Sequence, residues 1–214
     1  VDGIILIGTL FTAQHKERMK HLSVPIVVLA QRLDGYSCVY SDDYHASLDL
    51  TSRLAKTGHV FGYINAESRD EAVGRSRKKG FEDGLNQAGQ EHAPRYYAEA
   101  VFSMESGYQM AKKLFTDHPD IDTLLCATDT IASGALRYFH EQEIPVPEQV
   151  QIAGFGDSSI ARATTPTLTT AHFFYEEAGS EAGKILLDMM QEKEHPLNRE
   201  LKLGFSTIVR DSTR

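Results

Sequence analysis

The sequence predicts an α/β fold in which parallel sheets carry helices on both faces. The main observation is a sustained alternation of short apolar runs with segments of helical spacing. The clearest unit is Asp122–Ser159, where predicted strands at Thr123–Cys126 and Val150–Phe155 enclose a helix from Thr130 to about Glu143. A helix between two short apolar runs is typical of a βαβ unit, whose strands are parallel.

The same alternation continues on both sides of this unit. Before it, strands are predicted at Val1–Ile7, Pro25–Leu29, Cys38–Tyr40, Val60–Asn65 and Arg95–Ala100, and helices at Ala13–Leu22, Ala46–Thr57, Arg75–Ala88 and Glu105–Thr116. Gly58, Gly89 and Pro119 stand where the last three of these helices should end. After it come a strand at Leu168–Ala171, the longest helix at Tyr175–Glu192, and strands at Leu201–Phe205 and Thr207–Val209.

The chain starts directly in an apolar run, Val1–Ile7, without an initiator Met. Such a run is typical of a buried parallel strand, which needs neighbours on both sides. We therefore expect the polypeptide to be longer at its N-terminus. A signal peptide can be neither seen nor excluded from this start.

Composition excludes several classes of function. The net charge of −8 argues against direct binding of this chain to the phosphate backbone of a nucleic acid. It leaves open a DNA-binding module elsewhere on the polypeptide. No apolar run approaches the roughly 20 residues that a membrane span needs. Cys38 and Cys126 lie in separate apolar runs, which indicates reduced core thiols in a cytoplasmic protein.

The sequence contains none of the common motifs of catalysis or metal binding. The nine His residues have no metal-site spacing, and neither a phosphate-binding loop nor a nucleophile elbow occurs. Gly154-Phe155-Gly156 begins like a dinucleotide fingerprint, but Ser159 stands at the third Gly position. We therefore predict a protein that is not an enzyme and that has no metal site and no cofactor.

Polar and aromatic residues at predicted strand ends and helix starts form the candidate ligand site. They are Asp42, Arg75, Phe102, Thr128, Asp129, Gly156, Asp157 and Tyr175. Carboxylates and Arg can bind hydroxyl groups and aromatic faces can stack on a sugar ring, so the set fits a polyhydroxylated ligand. Each residue also has a structural alternative: a helix cap for Asp129, a surface ion pair for Arg75, core packing for Phe102 and Tyr175, and a turn for Asp42.

Several short motifs also follow the order typical of one family. They are Val24-Pro25-Ile26-Val27, Val39-x-x-Asp42-Asp43, Arg75-x-Arg77-x-x-Gly80-Phe81, Thr128-Asp129, Gly154-Phe155-x-Asp157 and the terminal Val209-Arg210-Asp211-Ser212-Thr213. Across essentially all 214 residues, the chain resembles the effector-binding domain of a LacI/GalR-family transcription regulator.

The resemblance implies a fold similar to the type I periplasmic sugar-binding proteins. Two doubly wound parallel-sheet subdomains would be joined by three crossings, with the ligand in the cleft. The first subdomain would hold 1–46 and 173–197, and the second 47–172 and 198–214. The first would be incomplete, because about one βαβα unit and a helix-turn-helix domain precede this region in the family.

The resemblance also implies a role for each candidate site residue. Arg75 would grip the ligand, Phe102 and Tyr175 would line the pocket, and Asp42, Thr128 and Asp129 match further family positions. Many members have Asp where this chain has Gly156, whereas here the acidic residue is Asp157. We expect the pocket to depart most from its relatives at this point.

The implied function is that of the effector-binding and dimerisation region of a regulator, expected to be a repressor. A mono- or disaccharide would bind in the cleft and alter DNA binding allosterically in a homodimer. Operator DNA would be bound by a helix-turn-helix domain that is not in this chain, and no membrane would be involved. The alternative is an exported sugar-binding protein of a transport system, which shares the fold.

Overall fold

The computed structural model describes residues 1–8, 10–191 and 197–214, and it divides into two compact units. The first unit contains Val1–Asp42 and Phe174–Phe205, and the second contains Asp43–Phe173 and Ser206–Arg214. Both units are built from parallel strands and helices, so the α/β class is confirmed.

The first unit is a four-stranded parallel sheet with helices on both faces. Its elements are β1 (Ile4–Ile7), α1 (Ala13–Lys20), β2 (Ile26–Leu29), β3 (Ser37–Ser41), α7 (Tyr175–Gln191) and β9 (Glu200–Leu203), with strand order β1-β2-β3-β9. Alternate residues of β2 point to opposite faces. Ile26 and Val28 pack with Met19 of α1, whereas Val27 packs with Ala182 of α7.

The first predicted strand is present, but its burial differs from the expectation. Among the described residues, β1 lies at the edge of the sheet and pairs with β2 alone. Its alternate side chains Ile5 and Ile7 are 39% and 69% exposed. The predicted longest helix is confirmed from Tyr175 to Gln191, and its expected last residue, Glu192, lies outside the described residues.

The predicted subdomain boundaries differ from the structure mainly near the C-terminus. The resemblance places residues 198–214 in the second subdomain, with a crossing near 196–199. Instead β9 pairs with β3 in the first sheet, with Val39 opposite Leu201, so the chain crosses between Phe205 and Ser206. An apolar pattern shows that a segment is a strand, but it does not show which sheet accepts it.

The second unit contains a six-stranded sheet with strand order β10-β8-β7-β6-β4-β5. Its strands are β4 (Phe61–Asn65), β5 (Arg95–Glu99), β6 (Thr123–Cys126), β7 (Gln151–Gly156), β8 (Thr169–Phe173) and β10 (Phe205–Ile208). Its helices are α2 (Asp43–Leu54), α3 (Arg77–Gln87), α4 (Met104–Asp117), α5 (Asp129–Glu141) and α6 (Ser159–Ala163). The βαβ unit predicted at Asp122–Ser159 is confirmed as β6, α5 and β7, because β6 and β7 pair in parallel.

Helices cover both faces of the second sheet. On one face, Ile64, Leu124 and Ile152 of the strands pack with the buried residues of α4 and α5. On the other face, the fully buried Tyr63 ring stacks on Phe81 of α3 with centroids 4.9 Å apart. These two layers hold the ends of the strands in place.

Candidate functional site

The carboxyl ends of five parallel strands meet at one edge of the second sheet. β4 to β8 run in the same direction, with Ile64 opposite Cys126 and Gly156 opposite His172. Ligands of open parallel sheets bind at this edge. Six predicted site residues lie at or after these strand ends: Arg75, Phe102, Thr128, Asp129, Gly156 and Asp157.

The segment after β4 is a π-helical turn, Glu71–Ser76, which leads directly into α3. Asp70 caps the turn by accepting a 2.7 Å hydrogen bond from the Val73 N–H. Asn65, the last residue of β4, donates from its side-chain amide to the Gly74 carbonyl at 2.9 Å. A π-helical turn changes the helix phase, and such turns are frequent at functional sites.

Arg75 lies on the exposed side of this turn. Its side chain is 62% exposed, and its guanidinium contacts the Glu71 carboxylate at 3.2 Å. Its Nε also donates to the Ser68 carbonyl at 3.1 Å. The side chain is therefore accessible at the carboxyl edge, but it already has an exposed ion pair of little energetic value.

Arg77 is the residue that the sequence reasoning missed. Its side chain is only 7% exposed, and its Nε and Nη2 each donate to the same oxygen of Asp43 at 2.7 Å. Its Nη1 donates to the carbonyl of Ala127, directly after β6. Its guanidinium carbon lies 4.9 Å and 5.0 Å from the ring centroids of Phe155 and Phe173.

A signal for this burial was present in the sequence. Arg77 precedes Phe81 by four residues and Gly84 by seven, so all three share one face of α3. Arg75 lies off that face. The helical spacing, rather than the order of the motif, distinguishes the buried Arg from the exposed one.

Thr128 and Asp129 begin α5 at this edge. The Thr128 hydroxyl caps the helix by accepting from the Ile131 N–H at 3.2 Å. Asp129 is 1% exposed, and its two carboxylate oxygens accept from the Thr170 hydroxyl at 2.6 Å and the Ser158 N–H at 2.8 Å. Burial raises the pKa of Asp129, and these two hydrogen bonds offset only part of the rise.

Close packing fixes the position of Asp129. A Cβ at Gly154 would lie 2.7 Å from Asp129 Oδ1, so β7 can approach the start of α5 only with glycine there. Asp129 therefore joins α5, β7 and β8 at the carboxyl edge. The N-cap of α5 is Thr128 and not Asp129, so the alternative of a helix cap does not apply to Asp129.

Gly156 and Asp157 both adopt positive φ angles, +126° and +50°. A φ of +126° is readily reached only by glycine, so an Asp at position 156 would strain this backbone. Asp157, in contrast, occupies a left-handed conformation that Asp tolerates. The chain thus turns sharply after β7 before it enters α6.

The turn directs the Asp157 carboxylate toward three basic side chains. Oδ1 accepts from Arg210 Nη2 at 2.5 Å, and Oδ2 lies 3.1 Å from His172 Nδ1 and 3.7 Å from Arg162. Burial alone would raise the pKa of Asp157, but Arg210, His172 and Arg162 together lower it. Both oxygens are engaged within the protein, so a direct contact of Asp157 with a ligand stays a prediction.

Phe102 follows β5 and is 48% exposed at the carboxyl edge. It therefore does not belong to the core. Asp42 and Tyr175 belong to the first unit. The Asp42 carboxylate pairs with Lys202 at 2.8 Å, and Tyr175 begins α7 with 57% of its surface exposed.

Two kinds of feature are absent from the described part of the chain. In the ranges 1–8, 10–191 and 197–214, no cluster of three or more His, Cys, Asp or Glu side chains could hold a metal ion. Over the same ranges, no helix is long and apolar enough to cross a membrane.

The architecture and the strand-end site define a binding-protein type of domain. Residues 51–213 match the family described as periplasmic binding protein-like domain, and the chain belongs to that family. It is 30% identical over 197 residues to the HTH-type transcriptional regulator TreR of Escherichia coli K12, covering 92% of this chain and 59% of that protein. The chain thus spans about three fifths of this relative's length.

Solved structures of regulators show the same fold. The transcriptional regulator CelR in complex with cellobiose is 26% identical with a TM-score of 0.90, over 99% of this chain and 66% of that one. A LacI family regulator of Enterococcus faecium with bound ribose is 26% identical with a TM-score of 0.88, over 100% and 80%. The resemblance to LacI-family regulators is confirmed for the region that this chain covers, and these relatives are regulators, not enzymes.

Proposed function

We propose that this chain is the effector-binding region of a LacI-family transcriptional regulator and that its effector is a small sugar. The observation that carries the proposal is the half-exposed Phe102 ring, which follows β5 at the same sheet edge that carries the exposed Arg75. An aromatic face and a guanidinium are suited to a sugar ring and its hydroxyl groups. Two relatives of the same fold hold cellobiose and ribose.

The proposed ligand contacts are the eight residues identified from the sequence. Arg75, Phe102, Thr128, Asp129, Gly156 and Asp157 would contribute from the second unit, and Asp42 and Tyr175 from the first. Phe102 and Arg75 have accessible side chains, whereas Asp129 and Asp157 are engaged by protein donors. We therefore expect Phe102 and Arg75 to contribute most to sugar affinity.

The proposed mechanism is a ligand-dependent shift between two conformations of a homodimer. A sugar can shift such an equilibrium only if it binds one conformation more tightly than the other. A coupling of about 1–3 kcal/mol is typical of allosteric proteins. In this proposal the regulator is cytoplasmic and is not an enzyme. It represses transcription by binding operator DNA through a helix-turn-helix domain. The relatives are regulators, which favours this function over sugar transport.

Calorimetric titration with cellobiose, ribose, other sugars, purines and amino acids tests the ligand class. We expect at least one sugar to bind. If a purine binds and none of the sugars gives a heat of binding, the sugar assignment is refuted.

Substitution of Arg75 tests the site. Arg75→Ala should weaken sugar binding at least about tenfold, or about 1.4 kcal/mol, because a hydrogen bond to a charged group is lost. Arg137→Ala is a matched control: Arg137 is similarly exposed, 59%, and pairs with Glu141 four residues away, as Arg75 pairs with Glu71. Arg137 lies toward the far end of α5, away from the carboxyl edge. Equal affinity of both variants would place the site elsewhere.

A further inference from the structure

Three aspartates of the chain are followed directly by glycine, at Asp2-Gly3, Asp34-Gly35 and Asp83-Gly84. The carboxyl group of such an Asp can react with the next backbone nitrogen, because glycine has no Cβ to obstruct the approach. The nitrogen and the carboxyl carbon must first come together, so the surrounding structure decides which pair reacts.

Asp34-Gly35 forms the tip of the turn between β2 and β3. The Tyr36 N–H donates to the Leu33 carbonyl at 3.2 Å, which closes a four-residue turn. Gly35 has a φ of +86°, whereas Asp34 lies outside the positive-φ region, and this combination is type II geometry. The closing hydrogen bond uses the N–H of the last residue of the turn, so the Gly35 nitrogen takes no part in it.

The flanks of this turn are anchored, but its tip is open. The N–H of the buried Leu33 lies 3.2 Å from Cys38 Sγ, and the same Sγ lies 3.4 Å from the Leu33 carbonyl. The Asp34 side chain is 83% exposed, and among the described residues no atom would lie within 4 Å of a Cβ at Gly35. Arg32 contacts the Asp34 carboxylate at 2.6 Å, but a pair this exposed holds the carboxylate only weakly.

Asp83-Gly84, in contrast, lies inside α3 and is restrained at both reacting groups. The Asp83 carboxylate accepts a hydrogen bond from the Tyr44 hydroxyl at 2.8 Å and also pairs with Lys79. Gly84 is buried, and a Cβ there would lie 2.9 Å from the Leu48 carbonyl oxygen, so α3 packs closely on α2 at this point. The two groups can react only when the helix opens locally.

Asp2-Gly3 is restrained at its glycine. A Cβ at Gly3 would lie 2.9 Å from Leu186 Cδ1, so this glycine packs against α7. The next residue, Ile4, begins β1 and donates its N–H to the Pro25 carbonyl at 3.0 Å. Asp34-Gly35 therefore combines the most accessible carboxylate with the least restrained glycine of the three pairs.

We propose that Asp34 is a site of spontaneous isomerisation to isoaspartate, with water as the only co-reactant. The Gly35 nitrogen attacks Asp34 Cγ, a C–N bond forms, and the bond from Cγ to the hydroxyl of the protonated carboxyl breaks. The amide proton and this hydroxyl leave together as water, and a succinimide ring results. Water then adds to the former α-carbonyl and breaks its bond to the Gly35 nitrogen. The backbone now continues through Cβ and Cγ, with no atom gained or lost overall and no electron transferred.

Ageing of the folded protein at neutral pH in water enriched in heavy oxygen tests the proposal. Each passage through the succinimide incorporates heavy oxygen, and peptide mapping with electron-based fragmentation identifies the labelled Asp and the isoaspartate backbone. We expect Asp34 to isomerise at least about tenfold faster than Asp83, which corresponds to about 1.4 kcal/mol for the local opening of α3. Asp2 should also isomerise more slowly than Asp34. Equal rates at Asp34 and Asp83 in the folded protein would overturn the proposal.

The same measurement in concentrated urea separates the effect of the fold from that of the local sequence. In the unfolded chain the rates at Asp34 and Asp83 should converge, since glycine follows both. A rate ratio that is the same in urea and in the folded protein would contradict the structural argument.

Asp34→Glu is the matched variant, because it keeps an exposed carboxylate but would have to close a larger ring. Heavy oxygen should no longer enter at position 34, while labelling at Asp2 and Asp83 stays unchanged. Label that persists at position 34 would show exchange without a succinimide and would also overturn the proposal. The test needs no effector, so its outcome is independent of whether a sugar binds.

Discussion

Replacing Asp157 by Asn isolates the charge of the carboxylate at the end of β7. Asn tolerates the φ of +50° at this position about as well as Asp, so the backbone should persist. The variant keeps an oxygen acceptor but loses the charge that faces Arg210, His172 and Arg162. Any loss of stability therefore reports on electrostatics and not on the turn.

The magnitude follows from the exposure of the strongest pair. The Asp157 and Arg210 side chains are 10% and 15% exposed, so solvent screens the pair only weakly. Breaking a fully buried pair costs roughly 3–5 kcal/mol, and a hydrogen bond to a charged group contributes about 1.5–3 kcal/mol. We expect Asp157→Asn to lower the free energy of unfolding by about 2–4 kcal/mol at pH 7.

Urea unfolding of the variant and of two partner variants tests this reasoning. Arg210→Gln should cost a similar amount, because Arg210 also donates to the Leu168 carbonyl at 2.8 Å. Arg162→Gln is the control on the same carboxylate, since Arg162 is 62% exposed and 3.7 Å away. Its cost should stay below about 0.5 kcal/mol.

Two results would refute the reasoning. A loss of unfolding free energy below about 1 kcal/mol for Asp157→Asn would show that water solvates the three basic groups about as favourably as the carboxylate binds them. Equal costs for Arg162→Gln and Arg210→Gln would show that burial does not decide the strength of these pairs.

Two further predictions concern pH and packing. The folded state lowers the pKa of Asp157. The stability that this carboxylate contributes is therefore present above the ordinary Asp pKa of about 3.9 and is lost as the pH falls through the folded value. When urea unfolding is repeated toward about pH 4 and below, the difference in unfolding free energy between wild type and Asp157→Asn should shrink. A difference that grows on acidification would contradict this sign. Gly154→Ala should destabilise the protein by about 1–3 kcal/mol, because the new Cβ would lie 2.7 Å from Asp129 Oδ1. Gly179→Ala, at an open position of α7, should stabilise it by about 0.5–1 kcal/mol. Thermal unfolding measures both changes, and a change of the same sign in the two variants would disprove the packing argument.

Local pattern was sufficient for most of the elements and for the edge that carries the site. Apolar runs and helical spacing predict β6, α5 and β7 nearly to the residue, because each depends on neighbours within one turn or one strand. Parallel pairing follows from the intervening helix, and it brings the strand ends together at one edge. This reasoning predicts Thr128, Asp129, Gly156 and Asp157 at the carboxyl edge.

Long-range contacts decided what the sequence alone left open. The sequence predicts a strand at Leu201–Phe205, and the structure has β9 at Glu200–Leu203. The pairing of β9 with β3 depends on residues more than 150 positions away. Helical spacing places Arg77 on the buried face of α3, but its partners could not be read from the sequence. Asp43, Phe155 and Phe173 come from distant segments and meet the Arg77 guanidinium only in the folded chain. The Asp157 carboxylate is likewise engaged by Arg210, which lies 53 residues further along the chain. Sequence determines which groups are present and their local periodicity, whereas burial and pairing arise only when distant segments meet.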